Sequence, residues 1–381
     1  MRWVYKAAEE YCESVRDGTH DTPKQTEFGY RLVTGKHIKN GQIDPSDAYY
    51  ISEKDYTKIN ERSLVEQWDV LMSMIGTVGE VAVVQDVPNY AIKNVALFKC
   101  GGSEVRGKWL AYYLRSSEAQ GHMMGHQKGS SQQFLSLKQL RSLPIPVTNV
   151  EYMQKVVDIL SVYDDLIENN QKQIKLLEEA AQRLYKEWFV DLRFPGYENT
   201  PIIDGVPQGW RKELVGNVIE KSYRSKQVMT ADYLEEGKIP VIDQSRDFIA
   251  GYTDDEETVV SLGKPVIVFG DHTRILKYIQ FPFAKGADGT QLIISKCENM
   301  TQPLLYLSLL EIDLSNYHYA RHFKYLKAEE IIVPDIITAK HFEKLVQPIF
   351  AKVQILRDQI NNAKQARDRL LPKLMSGELE V

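Results

Sequence analysis

The sequence predicts an α+β protein that arose by internal duplication: two mixed α/β domains, each followed by one long helix. Three observations predict this class. Two segments repeat apolar residues with coiled-coil spacing, similar stretches precede both segments, and a run rich in helix breakers separates the two halves. The chain has 381 residues, 43% of them hydrophobic and 26% charged. That composition is typical of a globular chain of roughly two to three domains.

The first observation is a pair of heptad-spaced seams, in which apolar residues alternate spacings of four and three. The first seam consists of Val156, Leu160, Tyr163, Ile167, Asn170, Ile174, Leu177, Ala181, Leu184 and Trp188. The second seam consists of Val346, Ile349, Val353, Leu356, Ile360, Ala363, Arg367, Leu370 and Leu374. Each helix would be roughly 40 to 50 Å long. Since neither helix can bury its apolar stripe alone, we expect the two to pair; packing of each helix on its own domain is the alternative.

Asn170 is the only polar member of the first seam, and Arg367 is the only charged member of the second. A buried Asn in a seam fixes coiled-coil register at some cost in stability, which is one interpretation of Asn170. A solvent-exposed Asn at a frayed point of the helix is the other.

The second observation is the similarity of the stretches that precede the helices. Leu143–Pro146 leads into the first helix and Ile331–Pro334 into the second, and each indicates a strand that stops where a helix begins. Trp109–Leu114 has a counterpart in Leu304–Leu310, about 195 residues later. A period near 190 residues indicates duplicated domains, because solenoid units run only about 20 to 50 residues. Strands are predicted at residues 70–75, 81–84, 95–99, 259–262, 265–269 and 291–295.

The third observation is the linker. Residues 194–201 contain two prolines and a glycine, and Gly205, Pro207 and Gly209 follow closely, so a helix or strand cannot continue through them. The predicted boundaries are residues 1–146 for the first domain, 147–193 for the central helix, 194–334 for the second domain and 335–381 for the C-terminal helix.

Several functional classes are disfavoured by what the sequence lacks. No run of eighteen apolar residues and no apolar core of a signal peptide occurs, so we expect a cytoplasmic protein with no membrane contact. Cys12, Cys100 and Cys297 are too few and too scattered for a disulfide framework, and we expect buried thiols. Gly102–Trp109 has the glycine and lysine spacing of a phosphate-binding loop, but Trp stands where Ser or Thr must hold magnesium.

Metal binding is also disfavoured. His122 and His126 stand four residues apart, as do His318 and His322, a spacing that could hold a metal on one face of a helix. Neither pair has a recognisable third ligand, so we predict no metal site.

Polar and basic segments predict binding rather than catalysis. Each half carries one such segment shortly before its terminal strand, with side chains able to donate to phosphates and to base edges; a solvated loop is the alternative. The candidates in the first domain are Arg31, Lys36, Lys39, His126, Lys128, Ser130, Ser131 and Gln132. The candidates in the second domain are His272, Arg274, Lys277, His318, Arg321, His322 and Lys324.

A family resemblance rests on motifs that occur in the same order in both halves. The motifs are Asp17–His20, Gly76–Gly79, Leu143–Pro146, Asp164–Gln171, Leu176–Glu179, Trp188–Asp191, Phe269–Arg274 and Leu370–Glu378. With these motifs the chain resembles, over essentially its whole length, the specificity subunit of type I restriction-modification systems.

The resemblance implies two target recognition domains held apart by an antiparallel coiled coil of the two helices, with each domain reading one half of a split, asymmetric site in double-stranded DNA. It implies a subunit without catalysis that recruits two modification subunits, which methylate adenine at N6, and restriction subunits that translocate and cut DNA. It also implies that no cofactor binds this chain, because S-adenosylmethionine, ATP and magnesium belong to the partner subunits.

The charge of the chain bears on this expectation. The net charge is -5, whereas phosphate contacts usually leave a basic footprint. Residues 1–145 carry 18 basic and 17 acidic side chains, while residues 196–334 carry 15 and 20, with an acidic run at 254–257. We therefore expect partner subunits to supply many of the phosphate contacts.

Two other functions stay open at this point. One is an enzyme that methylates or cleaves DNA itself, although the chain contains neither an Asn-Pro-Pro-aromatic nor an Asp-Pro-Pro-Tyr sequence of an amino-methyltransferase. The other is a solitary two-domain protein, binding DNA or acting as a protein scaffold, without methyltransferase partners.

Overall fold

The structure is a computed structural model that describes residues 3–76, 78–124, 135–220, 225–287, 289–317 and 321–381. The chain forms two compact units. The first comprises Met1–Glu168 together with Asn361–Val381, and the second comprises Asn169–Ile360. Each unit thus contains one globular domain and one half of each long helix.

The first domain is built on a four-stranded sheet of order β2-β10-β7-β8, a three-stranded sheet of order β6-β3-β9 and two strand pairs, β1 with β11 and β4 with β5. Its strands are β1 Val4–Ala7, β2 Ser14–Asp17, β3 Tyr30–Val33, β4 Ile38–Lys39, β5 Gln42–Ile43, β6 Tyr50–Ile51, β7 Val70–Ser73, β8 Val81–Val83, β9 Tyr90–Ile92, β10 Val95–Lys99 and β11 Pro144–Val147. Its helices are α1 Ala8–Tyr11, α2 Glu53–Ser63, α3 Glu104–Arg115, α4 Ser117–Met124 and α5 Leu137–Arg141. The central helix α6, Val150–Tyr185, follows and ends in a π-helical turn at Lys186–Val190.

Helix α3 forms the centre of the first domain. Trp109 is fully buried, and its indole Nε1 donates a hydrogen bond to the carbonyl of Pro146 (2.8 Å). The segment with phosphate-loop spacing is therefore the start of a core helix, where Lys108 pairs with Glu104 at 2.7 Å. Gly107 lies so close to the backbone of β7's preceding turn that an added Cβ would overlap the carbonyl oxygen of Trp68.

Replacing Gly107 with Ala is expected to lower the free energy of unfolding by on the order of 1 to 3 kcal/mol, because the backbone carbonyl must move to admit a methyl group. Gly121→Ala is the matched control: Gly121 is also helical, has open space at its Cβ position, and should gain about 0.5 to 1 kcal/mol. Urea unfolding followed by circular dichroism measures both changes. If Gly107→Ala and Gly121→Ala stabilised the protein equally, the close approach of Gly107 to the carbonyl of Trp68 would be contradicted.

The second domain repeats the plan of the first. Its strands are β12 Ile202–Ile203, β13 Val206–Pro207, β14 Arg211–Leu214, β15 Gln227–Val228, β16 Ile239–Ile242, β17 Gly251–Thr253, β18 Val259–Val260, β19 Val266–Gly270, β20 Leu276–Ile279, β21 Phe283–Gly286, β22 Thr290–Ile293 and β23 Glu330–Val333. Its helices are α7 Val215–Val218, α8 Gln302–Leu310 and α9 His322–Leu326, and the C-terminal helix α10 spans Ile336–Ser376.

The strand pairings confirm the internal duplication. A strand near the start of each domain pairs antiparallel with the strand before the long helix, β1 with β11 and β14 with β23. Each domain also contains parallel pairing in the equivalent place: β3 pairs with β9 in the first domain, and β21 pairs with both β16 and β15 in the second. The long helices begin at residues 150 and 336, an offset of 186 residues. The predicted class of two mixed domains with paired long helices is confirmed.

The two long helices run antiparallel in each unit. In the first unit the hydroxyl of Tyr152 donates to the carbonyl of Leu374 (3.0 Å), and Arg367 donates to Asp164 (2.7 Å). In the second unit Arg357 donates to Glu178 (2.7 Å). Residue numbers rise along one helix as they fall along the other, which defines an antiparallel pair.

The predicted seam faces the partner helix and the domains. All nineteen seam residues are buried or half-buried, whereas neighbours such as Val162 and Leu176 are exposed. Asn170 is 2% exposed, and its side-chain amide donates to the Oε1 atom of Gln359 (3.2 Å). This favours the interpretation of Asn170 as a buried residue that fixes register over that of a frayed, solvated one.

Two further expectations concern the cysteines and the membrane. Cys12 and Cys100 lie in the core of the first domain, Cys297 is half-buried, and all three are free thiols. Among the described helices none is both long enough and apolar enough to cross a bilayer.

Candidate nucleic-acid interface

Three chain segments meet at one place in the second domain. They are the loop that follows β16 (residues 243–247), the turn between β19 and β20 (residues 271–275) and the start of α9 (residues 321–324). We call these residues the second-domain cluster. The sequence had placed candidates on the last two segments without indicating that they are adjacent.

Hydrogen bonds hold the second-domain cluster together. The hydroxyl of Thr273 donates to the carbonyl of Gln244 (2.6 Å), and the backbone N–H of His272 donates to the Oε1 atom of Gln244 (3.1 Å). The backbone N–H of His322 donates to the carbonyl of Asp271 (2.9 Å). The turn is therefore tied to the loop on one side and to α9 on the other.

Four of the predicted candidates are exposed on this cluster: His272, Arg274, Arg321 and Lys324. Arg274 has a positive φ of 63°, an uncommon conformation for a residue with a side chain, and its guanidinium donates to the carbonyl of Leu314 (3.0 Å). These four residues stay predictions for DNA contacts, since their exposure and charge permit such contacts without demonstrating them.

Lys277, by contrast, is only 4% exposed on β20. Its ammonium donates to the carbonyl of Asp247 and lies 3.9 Å from a carboxylate oxygen of Asp243. Burial lowers the pKa of Lys277 to about 8, an effect that the nearby carboxylates of Asp243 and Asp247 only partly offset. Burial removes Lys277 from the candidates for direct contact, because its charge is already engaged inside the domain.

His322 is also buried, with 6% exposure. Its ring nitrogens lie 2.9 Å from the carbonyl oxygens of Asp271 and Tyr317. Both nitrogens are thus occupied by the domain's own backbone, so His322 connects α9 to the turn and is not available to DNA.

The first domain has an equivalent cluster. The segment after β3 (residues 34–43) lies against the turn between β7 and β8 (described residues 74–76 and 78–80), and the backbone N–H of Asn40 donates to a carboxylate oxygen of Glu80 (3.2 Å). The backbone N–H of Leu135 donates to the carbonyl of Met74 (3.3 Å), which brings a third segment to the same turn. We call residues 34–43, 74–76, 78–80 and Leu135 the first-domain cluster.

The candidates of the first domain differ in their surroundings. Lys36 and Lys39 are exposed on the first-domain cluster, and Lys36 lies 3.5 Å from Asp47. Arg31 lies in β3, donates to the carbonyl of Ala48 and stacks on the ring of Tyr50 at 3.8 Å. Six candidates lie outside the described residues: His126, Lys128, Ser130, Ser131, Gln132 and His318.

Sequence reasoning missed Gln244 and Arg246. Gln244 connects the loop to the turn, and Arg246 is exposed beside it. The internal duplication could have identified this loop. Residues 243–247 follow β16 in the second domain just as the segment with Lys36 and Lys39 follows β3 in the first, so the repeat predicts candidate contacts in both segments.

The acidic run of the second domain is partly neutralised. Lys226 donates to Asp255 (2.7 Å) and to Glu257 (2.9 Å). The ammonium of Lys226 holds the pKa of Asp255 below its usual value. No group of three or more His, Cys, Asp or Glu side chains within the described ranges is placed to hold a metal ion.

Two copies of one fold, each with a polar three-segment cluster but with different side chains on it, define a two-domain recognition protein. The sequence model of the family described as "Type I restriction modification DNA specificity domain" matches residues 3–179. The chain is similar over its whole length to the Type I restriction enzyme MjaIX specificity subunit of Methanocaldococcus jannaschii, at 28% identity and with 94% of that protein covered. A putative MjaX specificity subunit of the same organism is 22% identical, again over 100% of this chain and 94% of the relative.

The fold is also that of a solved structure. The type I restriction-modification S subunit from M. genitalium superposes with a TM-score of 0.54 at 17% identity, and the match covers 98% of this chain and 96% of that one. The chain is thus similar over its whole length to specificity subunits of type I restriction-modification systems, and its residues 3–179 match the DNA specificity domain of those systems. These similarities assign the chain the role of a specificity subunit in such a system.

Proposed function

We propose that each domain of this chain reads one half of a bipartite, asymmetric DNA site and that the antiparallel helix pair sets the spacing between the halves. One observation carries the proposal: equivalent clusters occur in both domains and present different side chains. The first-domain cluster exposes Lys36 and Lys39, whereas the second-domain cluster exposes Arg274, Arg321 and Lys324. Different donors in equivalent positions select different base sequences.

The charge of the chain supports its action within a complex. The second domain carries five more acidic than basic side chains over residues 196–334. With this charge balance the domain has too few cations to bind the phosphates of DNA tightly by itself. We propose that two modification subunits supply further phosphate contacts together with the S-adenosylmethionine site. Restriction subunits, with ATP and magnesium, would complete the nuclease in the prokaryotic cytoplasm, and this chain would bind no cofactor itself.

Mapping of N6-methyladenine tests the proposed function. The chain is expressed in a methylation-free host together with the modification subunits of its system, and genomic DNA is sequenced for modified adenines. We expect one split motif with two unlike halves, absent from a matched strain that lacks only this chain. A continuous motif, or methylation that persists without the chain, would contradict the proposal and favour a scaffold role.

A further inference from the structure

We propose that Arg246 contacts a base of the half-site read by the second domain, and that buried Lys277 is the positioning residue for its loop. This inference rests on the proposed function and deepens it. It concerns one loop, residues 243–247, which the sequence did not single out.

The loop of residues 243–247 is fixed at both ends. At its start, one carboxylate oxygen of Asp243 accepts hydrogen bonds from the backbone N–H (2.8 Å) and the hydroxyl (2.6 Å) of Ser245. At its end, the ammonium of Lys277 donates to the carbonyl of Asp247, the residue after Arg246. The same ammonium lies 3.9 Å from Asp243, so a single buried cation connects both ends.

The middle of the loop is also held by hydrogen bonds. Gln244 is bonded to the turn between β19 and β20 through its side chain and its carbonyl. Arg246 is exposed and has no hydrogen-bond or ion-pair partner among the residues that the structure describes. The side chains of Asp243, Gln244 and Ser245 are thus bonded within the domain, while the guanidinium of Arg246 and the carboxylate of Asp247 are exposed.

Burying a lysine is costly. Removing an ammonium from water is unfavourable unless partners compensate its charge, and Lys277 finds these partners in the loop, at Asp243 and at the carbonyl of Asp247. A buried cation that binds a loop backbone therefore serves to order that loop. Ordering before binding reduces the entropy lost when DNA is contacted.

An ordered Arg can recognise a guanine base. Its planar guanidinium donates two parallel hydrogen bonds to O6 and N7 of guanine, the commonest base-specific contact in protein–DNA complexes. Arg246 belongs to the same cluster as the exposed Arg274 and Arg321, which have the charge to bind phosphates. A phosphate contact by Arg246 is the competing outcome.

The first experiment replaces Arg246 with Ala in the co-expressed complex of this chain with its modification subunits, and reads the methylated motif by sequencing. We expect one position of one half-site to become degenerate, the other half-site to stay unchanged, and methylation of the wild-type site to slow by about 10- to 100-fold. Arg211→Ala is the matched control, an exposed arginine on β14 of the same domain. A uniform loss over all sites, with no change of motif, would indicate a phosphate contact and overturn the assignment, as would an unaltered motif.

The second experiment replaces Lys277 with Met, with the exposed Lys264→Met as control. We expect a lower melting temperature, because Asp243 and the carbonyl of Asp247 lose their cation, together with relaxed specificity at the position affected by Arg246→Ala. A purely structural Lys277 would lower the melting temperature and leave the motif intact, which would overturn the positioning role. If Lys277→Met does not fold, Ser245→Ala decides the same point, because it removes the hydroxyl bond to Asp243.

The two proposals fail in different ways. A wild-type complex that yields no split motif would refute the proposed function. A wild-type split motif that both Arg246→Ala and Lys277→Met leave unchanged would refute this inference alone.

Discussion

Deletion of one heptad from each long helix is expected to shorten the gap in the methylated motif by about three base pairs. The heptads are residues 171–177 of α6 and 358–364 of α10. Their removal keeps the alternation of the seam, because Asn170 is then followed by Ala181 and Leu356 by Arg367 at the spacing of four. Seven residues of helix correspond to about 10.5 Å, the length of about three base pairs at 3.4 Å each.

The control for this prediction is a deletion of residues 171–177 alone. It leaves the two helices unequal in length, so the ion pairs at Asp164–Arg367 and Glu178–Arg357 cannot form together, and we expect loss of methylation rather than a shorter gap. Sequencing of methylated adenines measures both outcomes. A double deletion that folds and methylates with the original gap would show that the helix pair does not set the spacing.

The helices could be predicted from the sequence because their signal is local and repeated. The heptad spacing of each seam is visible within its own segment, and two seams of similar length indicate that the two helices pair with each other. The observed bounds, Val150–Tyr185 and Ile336–Ser376, contain nearly all of the predicted seam residues. Antiparallel pairing followed only from the family resemblance, since the spacing of a seam does not give the direction of its partner.

The strand pairings of the domains could not be predicted in the same way. The parallel pairs join strands far apart in the chain, Arg31 with Tyr90 and Val241 with Ala284. Several strands are only two to four residues long, too short for an alternating pattern to be recognised. The clusters depend on these distant pairings, which is why adjacent candidate segments were not recognised as neighbours.

Burial is the second property that the residue types did not reveal. Lys277 and Arg246 are both cations in a polar stretch, yet one lies in a strand that faces the core and the other in an exposed loop. His322 likewise follows the exposed Arg321 directly. A charged side chain can contact DNA only if the register of its strand and its tertiary neighbours leave it facing solvent. Neither the register nor these neighbours can be derived from a single sequence.

Asp164→Leu is expected to lower the free energy of unfolding by on the order of 3 kcal/mol. The Asp164 carboxylate accepts hydrogen bonds from Arg367 of α10 (2.7 Å) and from the hydroxyl of Tyr112 of α3 (2.8 Å), and it lies 3.8 Å from Arg115. Burial and the nearby Arg367 lower the pKa of Arg115, and the carboxylate of Asp164 opposes this effect. Removing the carboxylate would leave two guanidinium groups without their shared anion, at the point where α3, α6 and α10 meet.

Two matched variants separate this explanation from a general loss of stability. Asp165→Leu changes an exposed carboxylate one residue away, and we expect it to alter stability by no more than about 0.5 kcal/mol. The double variant Asp164→Leu with Arg367→Leu should recover part of the loss, because it removes a cation on α10 that would otherwise have only the exposed Asp368 (2.8 Å) as its anion. Arg115 keeps its bonds to the carbonyls of Gly41 and Val81. Urea unfolding of the three variants measures these differences. Should the double variant be less stable than Asp164→Leu alone, the loss would have to come from packing rather than from the charge of Arg367.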